Sequence, residues 1–203
     1  MYKQISVLLA TLLFSVSSHA TLIDFTDSSW QTAINGSNTA TIGNVTLTAS
    51  TGNLTFNAGD NAGCVAGQPT NGLACAGDGI GIRDDEIASK YAQQITIDFA
   101  QAVNISDIFL LDLFPKEGPN GEAEQARING QQYFGDNLLA GGFYATGFTG
   151  QGITQLIFSG DYDLFSDYAV AGIEVSAVPI PGAAILFGSA LLGFFGFKRR
   201  RIA

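Results

Sequence analysis

The side chains that can do chemistry in this sequence are mostly carboxylates. Asp78, Asp84, Asp85 and Glu86 crowd into one short stretch. Clustered carboxylates with nearby backbone carbonyls are what a hard cation such as Ca²⁺ requires. Their spacing does not match the twelve-residue EF-hand loop, and a solvated acidic turn accounts for the same residues. Asp161, Asp163 and Asp167 form a second group open to the same two readings. Ca²⁺ is the one cofactor these residues suggest, and nothing else in the chain calls for a cofactor. A glycan hydrolase needs a pair of carboxyl groups about 5 to 9.5 Å apart, one of them kept protonated. Eighteen acidic residues contain many such pairs and single out none.

Histidine chemistry is nearly excluded. The one histidine, His19, sits at the end of MYKQISVLLATLLFSVSSHA, where Lys3 precedes an apolar run from Ile5 to Val16 and then Ser18-His19-Ala20. A charged start, a short apolar centre and small residues three and one before a cut form the pattern of a secretory signal peptide over residues 1–20. The apolar run is shorter than the ~20 residues a membrane span needs. Cleavage after Ala20 takes His19 away, so the mature chain from Thr21 has no Ser-His-Asp triad, no Cys-His pair and no His-ligated zinc.

Export also sets the reading of the cysteines. Cys64 and Cys75 are the only two, inside GCVAGQPTNGLACAGDG. In an oxidising compartment a disulfide closing this Gly-rich loop is expected. Two thiols are too few for a structural zinc site, and a redox-active pair more often has C-x-x-C spacing. Between Asp24 and Glu174 lie all eighteen acidic residues and only Arg83, Lys90, Lys116 and Arg127 as basic ones, so four minus eighteen gives a formal charge of −14. That charge disfavours nucleic acid as a partner, since phosphate binding needs clustered cations. Cations, neutral sugars and basic partners stay open.

The elements that must position these groups read as strands. The runs 39–50, 53–58, 94–100, 105–114, 125–134, 141–150, 153–160 and 168–177 are rich in Ile, Val, Thr, Phe and Tyr, and Gly, Asn, Asp or Pro bound most of them. About eight such runs at this spacing predict an all-β domain over 21–177, an antiparallel β-sandwich of jelly-roll type. Residues 84–94 hold the one candidate helical turn. Trp30, Tyr133, Phe134, Phe143, Tyr144, Tyr162 and Tyr168 could include a sugar-stacking platform, with GFYATGFTG (142–150) as the stretch to probe, although rings on strands more often fill a core.

The chain ends in VPIPGAAILFGSALLGFFGFKRRRIA. Residues 178–197 carry no charge and, as a helix rising ~1.5 Å per residue, can cross a ~30 Å hydrocarbon core. Lys198, Arg199, Arg200 and Arg201 follow at once, and basic residues stay on the cytoplasmic side, which leaves the β domain outside. Pro179 and Pro181 hold the preceding segment extended.

This three-part tail resembles the PEP-CTERM sorting signal in its VPLPA-type variant. The matching residues are Val178, Pro179, Ile180, Pro181, Gly182 and Ala183 as the motif, 183–197 as the transmembrane helix and Lys198–Arg201 as the basic stop. Ile180 stands where the signal's name has glutamate, and Gly182 where alanine is usual. The resemblance implies an exosortase, a membrane-embedded cysteine peptidase or transpeptidase, as partner. It implies a transient anchor in the inner membrane of a Gram-negative bacterium that makes exopolysaccharide, then removal of the tail and delivery to the cell surface or medium. The sequence-based reading is thus an exported, non-enzymatic surface or biofilm-matrix protein. A carbohydrate- or calcium-binding module is the second reading and a glycan hydrolase the third.

Overall fold

The computed structural model describes residues 20–56, 71–83, 86–89, 92–117, 120–135, 142–160, 165–178 and Gly188. All of these but Gly188 belong to one compact unit, Ala20–Val178. Residues 1–19 of the expected signal peptide 1–20, Cys64, Asp84, Asp85, Asp161, Tyr162, Asp163 and, Gly188 apart, the tail from Pro179 lie outside the described residues. Among the described residues no helix is long and apolar enough to cross a membrane.

The unit is mostly β, in one curled antiparallel sheet. Its strands are β1 (Thr21–Asp24), β2 (Thr39–Ile42), β3 (Val45–Ala49), β4 (Leu54–Phe56), β5 (Ile80–Ile82), β6 (Gln94–Leu111), β7 (Gln125–Ile128), β8 (Gln131–Phe134), β9 (Tyr144–Ala145), β10 (Gly150–Ser159) and β11 (Ala169–Ala177). A six-residue helix, α1 (Ser29–Ile34), follows β1. It appears where no helical pattern was expected, because its signal is only Trp30 and Ile34, four residues apart and both buried. The turn expected over 84–94 falls partly outside the described residues.

Two runs read as single strands are hairpins. Between β7 and β8, Asn129 and Gly130 both take positive φ, 48° and 82°. That is the two-residue loop an Asn-Gly pair favours, because its twist matches that of the strands it joins. β2 and β3 turn at Gly43-Asn44, where Gly43 has a φ of 58°, with Ile42 opposite Val45.

Conversely, two runs expected as separate strands are one. β6 is eighteen residues long and serves two ladders. Its first part pairs with β3 (Leu47 opposite Ile97) and with the end of β10 (Leu156 opposite Ile97). Its second part pairs with β11 (Ile108 opposite Ile173) and β9. The strand kinks between, where Asp98 and Val103 oppose Gln155 and Ile153, so β6 spends five steps against two on β10.

Bulges keep apolar side chains inward through these changes of partner. Ile95, Ile97, Phe99 and Ile105 of β6 face the main core; Ser106 is then extra against β11, and Ile108 and Leu110 take over. A one-residue insertion shifts the strand's two-residue alternation, so the inward face passes from odd to even positions. On β11 the opposite change occurs at Ala171: Tyr168 and Val170 face the core before it, Ile173 and Val175 after it. Leu47, Leu156, Phe158 and Ile128, each at 0 % exposure, belong to the same core. The opposite face of this part of the sheet holds a second cluster, in which Phe109, Leu111, Phe143 and Ala171 pack with Leu73.

Candidate functional site

Three places carry the residues picked out by the sequence. The first is the end of β11. Ser176 and Ala177 pair with Asn104 and Val103 of β6, and Val175 pairs with Ile105 on one side and Thr21 of β1 on the other. β1 and β11 run antiparallel, so the start of one and the end of the other share one end of the sheet. After Ala177 the ladder stops, and Val178 is 39 % exposed. Beside this point the β6 kink opens a pocket of about 270 Å³, walled mainly by Ile23, Val45, Phe99, Val103, Val175 and Ala177. The rest of the motif, Pro179, Ile180, Pro181, Gly182 and Ala183, and the basic stop Lys198, Arg199, Arg200 and Arg201 lie outside the described residues.

The second place is the Cys75 loop. Cys75 is disulfide-bonded, and the chain's other cysteine, Cys64, lies outside the described residues. A polar clamp from the far end of the sequence holds this loop. Asp24 accepts from the Thr26 amide at 2.8 Å and the Thr26 hydroxyl at 2.6 Å through Oδ1, and from the Ala74 amide at 2.6 Å through Oδ2. The Thr26 hydroxyl accepts from the Cys75 amide at 2.9 Å, and the Thr26 carbonyl from the Ala76 amide at 3.0 Å. Thr26 is fully buried, so each of its polar atoms needs such a partner. The clamp seats Leu73 and Cys75 over Phe109 and Leu111, closing the second apolar cluster. Nothing in the local sequence signals it, because the partners stand fifty residues apart.

The third place is the set of carboxylates. Asp78 is buried and Glu86 half-buried, while Asp84 and Asp85 are outside the described residues. Asp167 is the described member of the second group. Among the described residues no three of His, Cys, Asp and Glu are placed to hold a metal ion. Sequence reading missed a second buried carboxyl group among the described residues, Glu124, which is 3 % exposed. Burial pushes its pKa up to about 8; the Phe114 amide, donating to Oε2 at 2.6 Å, opposes this, and Asp167, Glu117 and Asp112 add to it. Strand alternation carried the available signal, since Glu124, Ala126 and Ile128 share one parity and all three are buried.

The aromatic residues divide between core and surface. Trp30 packs on Phe25 with ring centres 5.2 Å apart, and Phe143 stacks on Phe109 at 5.9 Å. Tyr168 is fully buried and donates its hydroxyl to the Ser159 carbonyl at 3.1 Å. Tyr133 is buried and meets half-buried Tyr144 edge to face, ring centres 6.4 Å apart. Phe134, on β8, is 48 % exposed. Compared with known proteins, the chain matches no family model, no curated protein and no solved structure.

Proposed function

We propose that the chain is an exported, non-enzymatic cell-surface or extracellular-matrix protein. In this reading residues 1–20 are a signal peptide, 21–177 form a jelly-roll-like β-sandwich and 178–203 are a PEP-CTERM-like sorting signal. The 183–197 helix anchors the chain briefly in the inner membrane, Lys198–Arg201 hold it in register, and an exosortase-like enzyme cuts near Val178–Ala183. The sandwich is favoured by the sharing of β6 between two ladders, which lets one strand serve two facing layers.

The observation that carries the reading is the position at which the β11 ladder ends. The β11 ladder ends at Ala177, one residue before the motif, and Val178 is exposed. A peptidase needs its substrate in a free, extended segment, and a cut beyond Val178 leaves every strand of the domain intact. Replacing Pro179 and Pro181 by alanine in the producing strain, or deleting its exosortase-like gene, should accumulate the uncut chain. Processing that continues unchanged in both cases would overturn the proposal.

A further inference from the structure

The pocket beside the β6 kink is built around a break in the sheet. Ladder rungs on β6 reach Phe99 and resume at Val103, and none falls on Ala100, Gln101 or Ala102. Across this break the pocket opens into the main core, because Val45 of β3, Phe99 of β6 and Val175 of β11 are buried members of that core and also line the pocket. Thr21, Asn44 and Gln101 are exposed and Ser176 is half-buried, so apolar side chains form the inner wall and polar ones the mouth. Apolar walls with a few polar groups at one side are the usual build of a small-molecule site.

Size, charge and position narrow the ligand. An apolar cavity of about 150 Å³ takes up benzene, so one of about 270 Å³ has room for roughly ten carbon atoms. None of the lining residues is charged. A charged group seated against Phe99 and Val175 would lose its water and gain no partner. An anionic head at the mouth would meet no cation in the lining and a domain of formal charge −14. Ala177 also lines the pocket and is the last residue of the β11 ladder. From Val178 to Ala183, where the expected anchor helix starts, five residues of extended chain reach at most ~18 Å. A chain anchored as proposed above therefore keeps the mouth within that reach of a bilayer, whose interior consists of acyl chains.

We propose that this pocket seats one acyl chain of a bilayer lipid whose head group has no net charge. The chain end lies against Phe99 and Val175, and the head stays at the mouth with Asn44, Gln101 and Ser176. The bilayer as the source rests on the anchored reading of the tail, whereas the fit of an acyl chain rests on the pocket alone.

The test places the full chain in phosphatidylcholine vesicles in which some of the lipid carries a photoactivated diazirine at the end of one acyl chain. Flotation with the vesicles reads the anchor, and peptide masses after illumination read where the label sits. Labels should fall on the peptides holding Val45, Phe99–Val103 and Val175, besides those on the tail. Ala102→Phe and Gln101→Trp add bulk at lining positions that carry no rung. Each should lose the label on these peptides and float as before, and the second decides the matter if the first does not fold. A floating chain labelled on its tail alone, or pocket labels that both variants leave in place, would overturn the pocket and spare the anchor. A chain that does not float overturns the anchored reading instead. The pocket is then judged with a decanoylglycerol bearing the same diazirine, added in solution: label at the same residues, lost in both variants, upholds the acyl site, and its absence there overturns it.

Discussion

Replacing Asp24 by alanine removes three hydrogen bonds at once, two from Thr26 and one from the Ala74 amide, at 2.6 to 2.8 Å. Bonds to a charged acceptor contribute ~1.5 to 3 kcal/mol each, and the exposed one to Ala74 contributes least because water replaces it. The two Thr26 atoms belong to a fully buried residue and are left without that partner. Taking the lower figure for each of these and little for Ala74 gives a loss of about 3 kcal/mol. At ~2 to 4 °C per kcal/mol for a domain of this size, the midpoint should drop by about 6 to 12 °C. The assay is equilibrium unfolding of the full chain followed by fluorescence of Trp30, the one tryptophan, which packs on Phe25 just after the clamp. Because clamp and disulfide restrain the same Cys75 loop, Asp24→Ala combined with Cys64→Ser and Cys75→Ser should cost at least ~1 kcal/mol less than the sum of the separate losses. A loss below ~1 kcal/mol for Asp24→Ala, or strict additivity, would refute the argument that the clamp seats the loop.

Tyr168→Phe keeps the ring and removes one buried hydroxyl bond, to Ser159, so stability should fall by about 1 kcal/mol. Burial pushes the Tyr168 phenol far upward, so titration of the folded chain by tyrosinate absorbance should look the same with and without this substitution; a lost alkaline step would contradict its burial. Gly79→Ala puts a Cβ 2.5 Å from the Val170 carbonyl oxygen at a φ of +102°, beside Ile80 and Val170, the one rung joining β5 to β11. The cost should be about 2 to 4 kcal/mol in chemical denaturation, and an unchanged midpoint would show that β5 does not depend on that contact.

Much of the sheet is legible in the sequence because its strands have one inward face. β3 alternates cleanly, with Val45, Leu47 and Ala49 buried, and so does the first part of β6 with Ile95, Ile97 and Phe99. The joining of 94–100 to 105–111 is not legible, because Ala100–Asn104 carry no alternation and their recorded partners are distant in sequence: Asn44 for the Ala100 amide, β10 and β11 for Val103, and β11 for Asn104. β1 and β5 are four and three residues long, too short for a period to show; β1 is laddered along β11, and β5 along β4 with one rung to β11. The second cluster hides for a different reason. Phe109 and Leu111 are buried on the outward face of β6, and what covers them is a loop whose seat depends on Asp24 and Thr26. Of the groups singled out for chemistry, Asp78 is in the interior, whereas Glu124, one of eighteen acids that spacing alone does not separate, is a carboxyl that burial pushes up to about 8.

The deciding measurement is the intact mass of the mature protein from the surface and medium of the producing cells, with and without the exosortase-like enzyme. The expected product begins at Thr21, ends between Val178 and Ala183, and has this end only when the enzyme is present. A mass that retains Ala203 would contradict it and make the protein a permanently anchored one.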